Sequence, residues 1–373
     1  MDIITLLKIS NKMAPEKIIF FTKYTKKGPS SRYRIFQYSS FYKKEGFNIE
    51  ILPLLDDNYI DNLYSSKPYS KFKILKCYFK RILQVIKLSS KNLIYVQYEL
   101  LPYFPPVLEW YISKIKKAKY IVDYDDAMFH NYDMNSNWWV KMLFSRNIPK
   151  VIYHANVVIT GSPYLTSFAQ RFSKDVVEIP TSIDLQNYII KDEKTERNNK
   201  FVIGWIGSKT TSNNIISILP SLVTLSKKVD FELRLIGFNK NLLQKLEGIN
   251  FKNIPWSQEN EVAEIRKFDV GIMPLTDNPF NRGKCGFKLI QYMACGLTTI
   301  STPLEANLKI NQNKKNLHAS SEFEWYQALF DVWNNIPMYR QQGIENRSII
   351  EKNYSIQSNG RLYINIFKSL LNK

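Results

Sequence analysis

The sequence predicts an α/β protein of two Rossmann-like lobes with a cleft between them. Three observations predict it. Short runs rich in β-branched and aromatic residues alternate with helix-like segments along the chain. The alternation stops at a polar, charged stretch, residues 185–200 (LQNYIIKDEKTERNNK), and then restarts. A length of 373 residues fits two cores better than one.

The elements follow in order. KIIFFTKY (17–24) reads as a strand, KKGPSS as a turn, and RYRIFQYSSFYKKEG as a helix that Gly46 stops. NIEILPLL is the next strand, and NLIYVQY (92–98), YIVDYDD (120–126), VVIT (157–160) and VVEIP (176–180) follow. Between them, FKILKCYFKRILQVIKL (72–88) is an amphipathic helix. Leu75, Phe79, Ile82 and Ile86 form one stripe, and Lys73, Lys76, Lys80 and Lys87 mark the other side. The stripe reads as core-facing with solvated lysines; the alternative is a basic face resting on anionic lipid. After the linker come FVIGWIG (201–207), FELRLIG (231–237), FKNIPW (251–256), VGIMPL (270–275) and TTIST (298–302). From Ser321 the tail reads as helical.

Composition narrows the function classes. Lys and Arg number 52 against 33 Asp and Glu, a net charge of +19 spread over both halves. That balance favours polyanionic partners: phosphorylated substrates, anionic lipid or nucleic acid. No nucleic-acid motif accompanies it, so a basic nucleic-acid-binding protein is the weakest alternative. Cys77, Cys285 and Cys295 lack paired or metal-like spacing, which suggests a reducing, cytoplasmic setting. His130, His154 and His318 are far apart, so no metal cluster is readable. Asp2 and the short run IITLL do not form a secretory signal, and no apolar run is long enough to span a bilayer. The expectation is a cytoplasmic protein, peripheral on the inner face of the plasma membrane if it meets lipid.

The most informative stretch is Phe268–Thr302. It reads as strand, Pro/Asn/Gly-rich loop, helix and strand, and the loop delivers Lys284, Gly286 and Lys288 to the helix start. Unpaired N–H groups and partial positive charge make a helix N-terminus a natural phosphate site. GSKTT (207–211) is not a P-loop, because Ser208 separates Gly207 from Lys209.

GIMPL, KCGFKLIQYMACG and the strand ending in STP resemble the donor-sugar site of GT-B glycosyltransferases. They are most similar to the retaining family four, the glycosyl transferases group 1. The resemblance implies a GT-B fold whose C-terminal lobe, 200–354, binds a nucleotide-sugar. It implies an N-terminal lobe, 14–185, for the acceptor, and a C-terminal helix, 355–373, packing back on the first lobe. It implies a metal-independent retaining transferase with no cofactor beyond its nucleoside-diphosphate sugar donor. The acceptor would be a glycan or lipid-linked molecule in cell-surface glycan synthesis, with no nucleic acid involved.

Residue by residue, Lys288, assisted by Lys284, would neutralise the diphosphate, with Gly286 and Phe287 also in the donor site. Gln291 stands where the family's ribose-binding glutamate is usual and keeps hydrogen-bonding capacity. Gly283 replaces the family's more N-terminal glutamate. That departure motivates the alternative of a nucleotide-sugar-binding or epimerase-like protein without transferase activity. Gly207, Ser208 and Lys209 would approach the diphosphate, and Trp256, Pro274 and Leu275 would wall the base. In the first lobe Gly28, Ser30, Arg32 and Arg34 would lie at the acceptor side, with Arg32 and Arg34 binding an anion. Asp125 and Asp126, which end strand YIVDYDD, would take part in catalysis facing the acceptor.

Overall fold

The computed structural model describes residues 17–65, 67–190, 200–313 and 316–371. The chain divides into two compact units, 1–181 with 359–373, and 182–358. The division therefore falls before the polar stretch. Tyr188 within that stretch is buried in the second unit's core, and Ile183 bridges to Ser355. Residues 191–199 of the expected linker, and 14–16 of the expected first lobe, lie outside the described residues.

The first unit contains an all-parallel sheet in the order β2-β1-β3-β4-β5-β6. Its strands are β1 (Lys17–Thr22), β2 (Asn48–Pro53), β3 (Leu93–Gln97), β4 (Lys119–Tyr124), β5 (Val157–Thr160) and β6 (Val176–Glu178). Strands β3 to β5 are almost wholly buried, as a parallel sheet covered on both faces requires. The C-terminal residues that belong to this unit insert Tyr363 and Phe367 among Phe20, Tyr38, Tyr42 and Tyr95.

Two helices differ from the sequence reading. Pro29 begins a helix, Pro29–Arg34, inside the stretch read as a turn, because proline suits the first helical position. Ile35 then breaks it, and a separate helix, Ser39–Lys44, runs towards Gly46 at φ +85°. The second difference concerns the helix Lys71–Ile86. Its apolar stripe does not face the core: Leu75, Phe79 and Ile86 are exposed, while Arg81 and Val85 are buried.

Buried carboxyls mark this unit. Glu99 accepts a hydrogen bond from Tyr132, and Glu109 accepts from the Leu100 amide at 2.8 Å. Burial pushes Glu99 up to about 8 and Glu109 up to about 7. Their neutral forms are favoured by folding. That contribution is complete below the unfolded value near 4.5 and is lost as pH rises through 7 and 8. The urea midpoint of this unit should therefore fall between about pH 5 and about pH 8.5, and Glu99→Gln should flatten the fall.

The second unit holds a parallel sheet in the order β12-β11-β10-β7-β8-β9. Its strands are β7 (Phe201–Ile206), β8 (Phe231–Ile236), β9 (Phe251–Ile254), β10 (Val270–Met273), β11 (Thr298–Ser301) and β12 (Leu317–His318). The two-residue β12 is too short to read from sequence. The helix Phe287–Ala294 is clamped to the sheet by Tyr292. Its hydroxyl accepts from the Ile206 amide at 3.0 Å and donates to the Ile272 carbonyl at 3.3 Å. Gly271 lets the Tyr292 ring lie against β10, where a Cβ would come closer than 3.0 Å. On the far side of that helix, Gly343 of the helix Ile336–Asn353 lies against the backbone of Gly296. Gly343→Ala should gain about 1 kcal/mol of helix propensity. It should lose more through a Cβ driven into the Gly296 carbonyl, so the net effect on a urea melt is destabilising by ~1–3 kcal/mol.

Among the described residues no helix is long and apolar enough to cross a membrane.

Candidate functional site

All strands of the second sheet are parallel, so every strand ends on one carboxyl edge. Strand order reverses between β7 and β10: the chain runs β7 to β8 to β9 on one side, then returns to place β10 on the other. Ligands of open α/β sheets bind at such a switch point, outside the carboxyl ends of the strands. The loops flanking it are Gly207–Ser208 after β7 and Pro274–Gly286 after β10.

Gly286 opens the Phe287–Ala294 helix in the left-handed conformation, φ +65°, pressed against Ile310 and Asn307. Glycine adopts that conformation without cost, which lets the loop turn abruptly into the helix. The first amides of an α-helix have no partner within it and carry the positive end of its dipole. Lys288 lies in this first turn, half-buried, with Nζ 5.8 Å from the Trp205 ring centroid. Because Trp205 is in β7, that contact carries the lysine from the β10 side of the switch point to the β7 side. Lys284 precedes it, also half-buried.

The β7 loop starts at Gly207. It leads into a 3₁₀ turn, Lys209–Thr211, then the four-residue helix Asn213–Ile216 and the helix Leu219–Ser226. The turn caps itself: the Ser208 amide donates to Thr211 Oγ1 at 3.0 Å. Gly207 is fixed by its N–H, which donates a hydrogen bond to the Ile236 carbonyl at 2.9 Å, and its carbonyl lies against Gly237 at φ +75°. Trp256 is next in this row of contacts, its Cβ beside Gly237. Its Nε1 donates to Glu261 at 2.8 Å, which fixes the half-buried ring. Gly207, Gly237 and Trp256 thus meet at the ends of β7, β8 and β9. Pro274 and Leu275 are buried, and the Leu275 amide donates to Thr302 Oγ1 at 2.9 Å. Gln291 is also buried, 4% exposed, and its amide donates to Tyr188 Oη at 3.0 Å. Lys209 is exposed.

In the first unit the structure separates residues that the sequence grouped. Arg34 was expected to bind an anion. Its fork is instead filled by Asp123, with Nε to Oδ2 at 2.9 Å, and by the Ile179 carbonyl at 2.7 Å. Both side chains of that ion pair are 1% exposed, so Arg34 holds the sheet and not a ligand. Arg32 is 5% exposed and lies over the Tyr33 ring at 4.7 Å. Gly28 packs on Tyr24, and Asp126 accepts from the Ala127 amide at 3.0 Å as a turn cap.

Asp125 stands apart. The Tyr98 hydroxyl donates to it and also lies against Ser30. Burial pushes the Asp125 carboxyl up to about 6, while Arg34 holds it from rising further. Burial and Asp125 hold the Tyr98 phenol well above its ordinary value, so it remains a donor. Tyr98 follows β3 at φ +65°, an uncommon conformation for a non-glycine residue, and Lys23 after β1 lies 5.9 Å from its ring. These residues flank the first sheet's own switch point, between β1 and β3. Sequence reasoning missed Lys23 and Tyr98, because only the strand order brings the ends of β1, β3 and β4 together. Among the described residues no group of His, Cys, Asp or Glu is arranged to hold a metal.

Comparison with known proteins adds the family of folds. No protein-family model matches the chain, and no curated protein matches it in sequence. Solved structures do match. Sucrose-phosphate synthase of Thermosynechococcus elongatus superposes with a TM-score of 0.70 at 13% identity, covering 95% of this chain and 100% of that one. A glycosyltransferase of Rickettsia africae superposes at 0.68 and 13%, covering 96% and 99%. This is the GT-B fold. HepE of Anabaena, solved with UDP and glucose, has the same fold at a TM-score of 0.66 and 13% identity, covering 95% and 100%.

Proposed function

We propose that the chain is a glycosyltransferase that moves a sugar from a nucleoside-diphosphate sugar to an acceptor hydroxyl. The carrying observation is the Gly286-started helix with Lys284 and Lys288 at the β7/β10 switch point of a GT-B fold. Uridine diphosphate is the proposed nucleotide, supported by the UDP bound in HepE and in the pneumococcal O-GlcNAc transferase GtfA.

The departing diphosphate develops negative charge. Lys288 and the helix amides are fixed before reaction, so they stabilise that charge without reorganising. The same groups supply the positive charge that a divalent cation would otherwise bring, and we infer metal-independent transfer with no cofactor. In this reading Asp125, hydrogen-bonded by Tyr98, accepts a hydrogen bond from the acceptor hydroxyl, and it is ionised above about pH 6. A hexosyl donor, retention of configuration, a role in cell-surface glycan synthesis and a glycan or lipid-linked acceptor are the finer parts of this reading. They rest on the motif resemblance. Three free cysteines support a reducing, cytoplasmic compartment.

Incubation with a set of UDP-sugars tests the reading. Lys288-dependent release of UDP is expected, with the sugar recovered on an acceptor or on water. A second reading, an epimerase or a non-transferring binder, rests on Gly283 standing where the resembled family has a glutamate. Isomerised UDP-sugar without UDP release would favour that reading and overturn transfer.

A further inference from the structure

The first unit carries an apolar surface that its own core does not use. On the helix Lys71–Ile86 the residues Phe72, Leu75, Phe79, Leu83 and Ile86 are 77, 64, 62, 41 and 50% exposed. Their spacing of three and four residues places them on one stripe. The opposite side, with Arg81 and Val85, is buried. A soluble surface helix would turn the apolar stripe inward; this one turns it out.

The surface continues beyond the helix. Tyr78 donates to the Pro102 carbonyl at 2.6 Å, joining the helix to the loop that exposes Tyr103, Phe104 and Val107. The Tyr103 ring lies 6.4 Å from Phe144, and Asn147 donates to the Phe104 carbonyl at 2.8 Å. Those contacts lead to the helix Trp138–Phe144, which has no buried residue. There Trp138, Trp139, Met142 and Leu143 are 61, 62, 49 and 58% exposed. Exposed apolar surface of this extent marks an interaction site.

Charge selects the occupant. From Lys67 to Tyr98 the sequence has no Asp or Glu, and Lys71, Lys73, Lys76, Lys80 and Lys87 are exposed beside the stripe. From Met134 to Lys174 it again has none, and Lys141, Arg146 and Lys150 are exposed. Of the acids nearby, Glu99 and Glu109 are buried, Asp133 lies at the edge, and the exposed Asp56 faces Tyr69 and Cys77, which are off the outward stripe. Two copies meeting through this face would bring like charges together. An anionic bilayer offers both complements at once: headgroups for the lysines, and an interfacial layer for leucine, phenylalanine and tryptophan. We propose that this surface, the outward stripe of 71–86 with the Trp138–Phe144 helix, seats the first unit on a membrane rich in anionic lipid.

Vesicle flotation of the full chain tests it, with phosphatidylcholine vesicles carrying about one-third phosphatidylglycerol and with phosphatidylcholine alone. The wild type should float with the anionic vesicles and much less with the neutral ones. Leu75→Glu with Phe79→Glu should lower partitioning ~10-fold or more, and Trp138→Ala with Trp139→Ala should also lower it. All four positions are exposed, so circular dichroism and melting temperature should match the wild type. A wild type that stays in the aqueous fraction overturns the proposal. So does a charged double variant that floats like the wild type. Sedimentation showing a wild-type dimer that the double variant dissolves, with no flotation, would assign the face to a second copy. The donor-site reading fails or stands separately, because nucleotide binding is measured without vesicles.

Discussion

Lys288→Ala should lower kcat by about 10²–10³-fold while leaving the protein folded. Removing one preorganised group from a developing charge typically costs that much. The fold loses the lysine's contact with the buried Trp205 ring, worth about 0.5–2 kcal/mol. Lys288→Arg keeps the charge but spreads it over a planar fork, so it should recover only part of the rate. A steady-state comparison of the three proteins, with melting temperatures alongside, checks this. Equal kcat values in wild type and alanine variant would remove Lys288 from the chemistry.

Arg34→Met should destabilise the first unit by about 3–5 kcal/mol. The substitution leaves Asp123 buried and charged without its partner, and an uncompensated buried charge is costly. Pairing it with Asp123→Leu should recover most of the loss, because an apolar pair of similar volume does not need the ion pair's solvation. Urea melts of the two single variants and the double variant measure the coupling. There is a catalytic corollary. Arg34 also holds the Asp125 carboxyl down from a still higher value, so its loss should shift any acidic limb of the rate profile to higher pH.

The parallel sheets were legible because their strands are buried on both faces and read as unbroken apolar runs: LIYVQ, VVIT, FVIGWI. The helix that carries Lys288 was legible for a related reason. Its left-handed glycine and its apolar periodicity are local properties of the chain. What failed was the direction in which side chains point once elements pack. An amphipathic helix has one apolar stripe in sequence, and the stripe of 71–86 was assigned inward; packing buries the side with Arg81 and Val85 instead. Arg34 and Asp123 are far apart in sequence, and nothing local tells a ligand-binding arginine from one locked in a buried pair. Tyr98 carries no motif at all. Its role comes from a positive φ at the end of β3 and from strand order, both properties of the folded chain.

The Gly286 helix and Lys288 are proposed to hold a nucleoside diphosphate. A thermal-shift panel of UDP, GDP, ADP, TDP and CMP on the wild type and on Lys288→Ala tests it most directly. A ligand at about 100 times its Kd adds ~2.7 kcal/mol to the state that binds it. UDP should raise the melting temperature of the wild type by several degrees, and the variant should respond little. A folded wild type that no diphosphate stabilises, or an equal shift in both proteins, would contradict it.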